Sequence, residues 1–553
     1  MTAATQAHLS AETTALIRSD VMGYTRLYLD FIQGQPRARD LYPPDVPEKV
    51  LGALDRIDYP RKQITKILHR QNEVFGESDV TRSNIELLKD SQTVCVFAGQ
   101  QAGLFGGPLF TLIKALGIVK LAHTYTERLS RPVIPIFWIA GDDHDFIEAN
   151  HTHVLSRKGE VCKLEYRTPP AQPLPAGEIR LVDFQELGRV LDELGELLGQ
   201  TEFTPELMAL LRRCYTHEDT LVTAFGKFMR AVAGDTGLVF FNPADPEVKR
   251  LAAPRFEELI EKQQSVSASI AEASERLRQN GYHVQVEKKE HAVHLFCNQD
   301  GRRPILRDGD SYLIGDNRLT RADLNTLLAA HAETFSTDVL TRPLLQSWLF
   351  PALIQMGGPS EIAYFAQVKP LFDLFDLPAP VYRARPSLTL VERRHGQFMQ
   401  ELGIGFEDLL GDIEQVVNRV LAETFPENIE GRFGEFRREV EERFRRLSDE
   451  VTSFDSGLQG MTEQTRGKID FLLKGLEAKV FSAHKKKSQD VRERIYRLHN
   501  ALYPQRLPQE RCLNITYFLA RYGTGIVKYV YDNMNSEETA HQLLSLSNYE
   551  PQL

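Results

Sequence analysis

Cysteine is scarce in this sequence and scattered: Cys95, Cys162, Cys214, Cys297 and Cys512 form no C-x-x-C pair. The five thiols therefore read as reduced packing residues of a cytoplasmic protein. If cysteine chemistry takes place here, the cysteine is the substrate. No apolar run approaches the ~18 residues of a membrane span, and the N-terminus lacks a basic-then-apolar leader, which sets aside membrane insertion and secretion. An excess of basic residues is missing too. The 553 residues carry a formal charge of -10 with an isoelectric point of about 5.9, a poor surface for nucleic acid. The length exceeds one ordinary core, so two or three lobes are expected.

What is present centres on Thr93 to His151. Thr93 to Ala98 is a short apolar, β-branched run of the kind that forms a buried parallel strand. A loop from Gly99 to Gly107 follows, containing Gln100, Gln101, Gly103 and Gly106, and then Pro108 at the first turn of a helix with Leu112, Leu116, Val119 and Ala122 at helical spacing. A second apolar run, Val133 to Ala140, ends in Gly141-Asp142-Asp143-His144-Asp145. Strand, helix and strand make one right-handed crossover unit, with both polar loops at the carboxyl edge of a parallel sheet, where such sheets bind ligands.

The glycine loop suits an anion, because glycines let backbone N–H groups approach it and the following helix adds partial positive charge. It ends in no Gly-Lys-Ser/Thr and contains no G-x-G-x-x-G, so it is neither a Walker loop nor a dinucleotide fingerprint. The plain alternative is a tight strand-to-helix turn; Gln100 and Gln101, able to hydrogen-bond a ligand, favour function. Lys114 lies about two turns into the helix and faces either a ligand or solvent.

Asp142, Asp143, His144 and Asp145 crowd three carboxylates against an imidazole, which is tolerated where a cation, a substrate amine or a shared proton offsets the repulsion. Substrate binding or acid–base work is the leading reading, and helix capping the plain one. If a helix begins near Asp145, His144, Glu148 and His151 fall on one face at i, i+4 and i+7, a spacing that could ligate a metal, and together with Asp142 they would serve a metal-dependent hydrolase or transferase.

Residues 1–150 read as N-terminal helices, among them Ile17 to Phe31, and the first half of the core. An insertion spans 151–236. Gly237 to Pro243 restores a core strand in 237–280, with Asp245 capping a helix and a longer helix from Ala253 to Gln279. A small insertion, 281–335, carries a hairpin of Tyr282 to Glu287 with Ala292 to Cys297; His283, His291 and His294 there lack ligand spacing. Residues 336–387 complete the core. There Gly357-Gly-Pro-Ser-Glu361 is a second glycine turn, offering Ser360 and Glu361 to a substrate with Tyr364 one turn on. Arg383 and Arg385 alternate outward on one strand as a clamp for carboxylate or phosphate. From 388 to 503, apolar residues recur at steps of 3 and 4, as in Phe433, Phe436, Val440, Phe444 and Leu447. This is the rhythm of a long antiparallel coiled coil, with bends at 426–431 and 456–460, and such a lobe supplies a rigid arm, a dimer interface or a scaffold. Residues 504–553 turn apolar again and return to the core.

Phe97-Ala-Gly-Gln-Gln-Ala-Gly103, Gly107-Pro-Leu-Phe-Thr111 and Phe137-Trp-Ile-Ala-Gly-Asp-Asp-His-Asp145 resemble the signature of the BshC family, the cysteine-adding enzymes of bacillithiol biosynthesis. Arg342-Pro, Gly357 to Tyr364, Arg385-Pro-Ser387 and Gln509-Glu-Arg511 resemble it too, in order over nearly the full length. The resemblance implies an α/β fold: a Rossmann-like, nucleotidyltransferase-type core with insertions, plus a coiled-coil lobe. It also implies ATP-dependent amide formation between the cysteine carboxylate and the amine of glucosaminyl malate. On that basis Asp142, Asp143 and His144 are the catalytic candidates, serving the amine and its proton. Gln100, Gln101, Gly103, Gly106, Trp138, Asp145, His151, Ser360, Glu361, Tyr364, Arg383 and Arg385 are substrate contacts, with Lys486, Arg511 and Asn514 for an adenine nucleotide between core and coil. No metal is expected beyond Mg2+ with the nucleotide, and no nucleic-acid or membrane partner; a homodimer through the coil is. His-x-Gly-His and Lys-Met-Ser-Lys-Ser, the usual nucleotidyltransferase motifs, are missing.

Overall fold

Five apolar runs form one parallel sheet: β1 (Val94–Gln100), β2 (Val133–Ile139), β3 (Val239–Phe241), β4 (Ala352–Gly357) and β5 (Val381–Ala384), in the order β5-β4-β1-β2-β3. This is the Rossmann-like order, and it reverses between β1 and β4. The computed structural model describes residues 14–181, 183–287, 291–299, 301–424 and 429–551. The strands are apolar at nearly every position because helices cover both faces, as parallel sheets require. Trp138 packs on Phe241, their ring centroids 4.8 Å apart. Helices α1 (Phe110–Leu129), α2 (Pro246–Glu261) and α3 (Pro359–Leu374) flank the sheet. Among the described residues no helix is long and apolar enough to cross a membrane.

The chain forms two compact units, residues 1–396 with 504–553, and residues 397–503. In the second, α4 (Ile429–Phe454) and α5 (Gln459–Leu502) pair antiparallel, tied by Arg437–Glu477 at 3.3 Å and Arg466–Glu441 at 2.6 Å. The predicted bend at 456–460 is the short turn Ser456–Leu458. The one at 426–431 falls largely on 425–428, outside the described residues.

Several local expectations are corrected. Residues 17–31 are not one helix: Thr14–Ile17 is a strand paired antiparallel with His541–Ser545, and the helix begins at Arg26. The helix predicted from 253 to 279 is two, breaking at Lys262, and the first begins at Pro246 with the Asp245 carboxylate accepting the Glu247 N–H at 2.9 Å. Tyr282 to Glu287 forms no strand. Ala292–Asn298 pairs with Arg302–Asp308 instead, in an antiparallel five-stranded sheet that also includes Phe335–Thr337. The core edge strand stops at Ala384, and Ser387–Val391 enters a separate sheet beside His541–Ser545; the second compact unit spans 397–503. Helix α1 starts at Phe110 rather than Pro108, because Pro108 bridges to Asn514.

Candidate active site

A cavity of about 510 Å3 opens beyond the carboxyl ends of the core strands, lined from β1, β2 and the segments after β4 and β5. Its floor is Lys114. One turn into α1, this side chain folds back under the end of β1, where its ammonium donates to the Gly99 carbonyl and the Gln100 amide oxygen, both at 2.9 Å, and to the Glu361 carboxylate. Lys114 is 1% exposed. Burial pulls its pKa below the usual lysine value, and Glu361 opposes the fall. Glu361 also accepts the Gly358 N–H at 2.8 Å at the start of α3.

On the β2 side, the acidic loop separates into distinct environments. Asp142 pairs with buried Lys249 of α2 at 2.5 Å. Asp143 accepts the Gln101 amide N–H at 2.6 Å and the His144 backbone N–H at 2.8 Å. His144 Nδ1 lies 3.1 Å from the Arg302 guanidinium. Arg302 also donates to the Thr337 carbonyl at 3.1 Å and stacks 3.8 Å from the Phe296 ring centroid. Burial lowers the Arg302 pKa, against Asp142, Asp143 and Asp338. Glu148 lines the mouth. Desolvation, then Asp143 and Asp145, push its carboxyl above the ordinary range, although much of the residue as a whole is exposed.

On the β4 and β5 side, Arg385 lies 2.7 Å from Glu510, which is wholly buried and further accepts Ser387 Oγ at 3.0 Å and the Leu388 N–H at 2.8 Å. Burial works against the Arg385 charge, but Glu510 outweighs it and raises the guanidinium's pKa. Arg342 donates to Tyr364 Oη and Gln346 Oε1, both at 3.3 Å, 5.5 Å from the Trp138 ring centroid.

The cavity thus gathers Gln100, Gln101, Trp138, Asp142, Asp143, Ser360, Glu361, Tyr364, Arg385 and Arg511 from the sequence-derived candidates. Others stand apart. Gly103 and Gly106 shape the turn: a Cβ on Gly103 would meet Gly107 Cα at 2.8 Å, and Gly107 adopts φ 70°, ψ -160°, open only to glycine. Asn514, fully buried, donates to the Phe105 and Gly107 carbonyls at 3.0 and 2.5 Å, so it braces the loop instead of reaching a ligand. Arg383 turns away to Asp45 and to Tyr125 Oη at 3.1 Å, because the strand ends before Arg385 and the two arginines share no face. Lys486 is exposed on α5, in the helical unit.

The one-face alignment of His144, Glu148 and His151 does not form. The helix is a single turn, Phe146–Ala149, capped by Asp145 accepting the Glu148 N–H at 3.0 Å, and His151 already begins a strand, its Nδ1 lying 2.8 Å from the Ile147 carbonyl. Among the described residues no three His, Cys, Asp or Glu side chains are placed to hold a metal ion. His294 is instead buried, 3.0 Å from Asp338. Sequence reasoning missed Lys249, Arg302 and Asp338, and left Lys114 undecided. Nothing local in the sequence marked the two lysines, because a lysine is rarely buried unless paired and their acid partners lie 247 and 107 positions away.

Two family models match the chain: bacillithiol biosynthesis BshC, N-terminal Rossmann-like domain, over residues 13–386, and bacillithiol biosynthesis BshC, C-terminal coiled-coil domain, over 388–546. Curated relatives bear the name "Putative cysteine ligase BshC". The one from Salinibacter ruber is 32% identical over 529 residues, covering 94% of this chain and 96% of its own. That from Geobacillus thermodenitrificans is 32% identical over 496 residues, 88% and 90% of the two chains. That from Koribacter versatilis is 29% identical over 519 residues, 93% and 96%.

Proposed function

Because the chain belongs to the BshC family of bacillithiol biosynthesis, we propose that it joins the carboxylate of cysteine to the amine of glucosaminyl malate, forming the amide bond of bacillithiol. The observation that carries this reading is the set of opposite charges along the carboxyl edge of the sheet, with Arg302 beside the β2 acids and Glu361 beside Lys114. Asp143 and Glu148 stand beyond β2, Lys114 lies beneath β1, and Arg342 and Arg385 stand on the β4 and β5 side. An ammonium and a carboxylate carried by one small reactant suit such an edge, each meeting its opposite. The volume is in the range that holds small-molecule reactants.

A free carboxylate does not acylate an amine at neutral pH without activation, which an adenine nucleotide such as ATP, with Mg2+ as counter-ion, would supply when bound. Arg342, whose guanidinium donates to Tyr364 and Gln346 rather than to a carboxylate, and the exposed Arg511 are the groups fitted to meet phosphate. Arg385, already matched by Glu510, orients a carboxylate less than it fixes the wall. Burial around Trp138 and Tyr364 keeps water from competing for the activated acyl group. A thiol substrate and five free cysteines suit a reducing cytoplasm. The helical unit serves dimerisation: Phe436, Leu447, Met461, Phe471, Leu472 and Leu476 leave apolar surface exposed along α4 and α5.

The test is mass spectrometry of a reaction containing cysteine, glucosaminyl malate and ATP, with and without the protein. A protein-dependent product at the mass of the amide is expected. Its absence with every nucleoside triphosphate tried would overturn the assignment.

A further inference from the structure

The acids beside β2 are not equivalent, and their difference points to a division of labour that rests on the ligase reading above. Asp142 is spent on Lys249. Asp143 holds Gln101 through the amide N–H. Gln101, nine-tenths buried in the cavity wall, is left with an acceptor, Oε1, that has no partner. A buried carbonyl oxygen without a donor costs free energy unless a ligand supplies one. Two carboxylates and an orphan amide oxygen lining one stretch of wall all ask for the same guest, a group with several N–H donors and positive charge.

We propose that Gln101, Asp143 and Glu148 seat the attacking amine of the acceptor substrate, and that Glu148 is the base that takes its proton. The ammonium binds with N–H groups directed at Gln101 Oε1 and the two carboxylates. Glu148 removes one proton, freeing the nitrogen lone pair. That pair forms the new bond to the acyl carbon of cysteine, activated as an acyl phosphate or adenylate. The bond from the acyl carbon to the phosphoryl oxygen breaks, and its electrons leave with the phosphate or AMP. The surplus proton of the tetrahedral adduct departs through the neighbouring Asp143 to solvent.

Glu148 suits the task by position. Its carboxyl is at the cavity mouth, on a one-turn helix fixed by the Asp145 cap. The charged groups facing it are Asp143 and Asp145 from its own loop, and Lys114 from α1. Partial burial, then the two acids, hold its pKa above the ordinary carboxylate range against Lys114 and a hydrogen bond from the Gln101 amide, nearer the pH at which a base is most effective. Asp142, neutralised by Lys249, is a positioning residue for the loop.

The experiment uses the full-length enzyme, its Glu148→Gln variant and its Glu148→Asp variant, with two acceptors: glucosaminyl malate, which arrives protonated, and hydroxylamine, which arrives neutral and needs no base. Thermal unfolding of each variant checks that the fold is kept. Glu148→Gln should lower kcat with glucosaminyl malate by roughly 100-fold, leave the KM for cysteine within about threefold, and remove the rise of rate with pH, while cysteinyl hydroxamate formation falls less than about fivefold. Glu148→Asp should recover part of the lost rate. Amide formation by Glu148→Gln within about threefold of wild type, or equal losses with both acceptors, overturns the base assignment while leaving the ligase reading intact. Wild-type enzyme that makes neither amide nor hydroxamate overturns both.

Discussion

Burying an ammonium is expensive, and Lys249 is retained at 2% side-chain exposure because Asp142 lies 2.5 Å away. Lys249→Ala leaves that carboxylate in the wall without its cation. The expected cost is about 3–5 kcal/mol, a marked drop in the urea midpoint followed by fluorescence of Trp138 and Trp348. A shift below about 1 kcal/mol would show that solvent reaches Asp142 freely. His541 gives a pH signature of the opposite kind, since it is buried neutral between Ser387 Oγ at 2.8 Å and Thr389 Oγ1 at 2.9 Å. Desolvation pushes its pKa down to about 4, against the pull of Glu510. An unfolded histidine titrates near 6.5, so between about 6.5 and about 4 the unfolded chain binds a proton that the folded chain refuses. Stability is therefore full above about pH 6.5 and declines as pH falls through that window. His395, also held at about 4 by burial, adds to the same slope. His541→Gln should reduce the slope of unfolding free energy against pH by about one proton, whatever it does to stability at neutral pH.

Among the elements, the glycine loop depends on a distant brace. Asn514→Ala removes the donors to the Phe105 and Gly107 carbonyls and should cost about 1–3 kcal/mol. It should also speed proteolysis between residues 99 and 108 and lower ligase turnover, though Asn514 does not line the cavity. An effect confined to the KM for ATP would instead assign Asn514 a nucleotide contact. The core strands were legible in the sequence because a strand covered on both faces is apolar at successive positions, as Val94 to Ala98 and Val133 to Ile139 are. The coil was legible for the matching reason, a face repeating every three or four residues. Arg383 and Arg385 misled because an even spacing implies a shared face only while the strand continues, and this one stops between them. Lys114, Lys249 and Arg302 were opaque because the acids that make them tolerable lie far away in sequence: Glu361 is 247 positions from Lys114 and Asp142 is 107 from Lys249.

For the whole molecule, the exposed apolar side chains of the helical unit make a testable demand. Phe471 is 76% and Leu472 68% exposed, more apolar surface than a lone two-helix arm leaves in water without a partner. Sedimentation velocity should report a dimer for the wild type and a monomer for the Phe471→Glu, Leu472→Glu double variant, with the core's melting transition unchanged. A monomeric wild type would remove the dimer proposal without touching the cavity.

The brace for the first core loop comes from residue 514, and the partner of Arg385 from residue 510. Synthesis on the ribosome is vectorial, so a nascent chain already holding the sheet and both polar loops still has a slack glycine turn and an arginine without its counter-charge. Activity should switch on only after residues 510–514 have emerged and folded back onto the core. A message truncated anywhere upstream of them then yields a fragment whose cavity is never assembled.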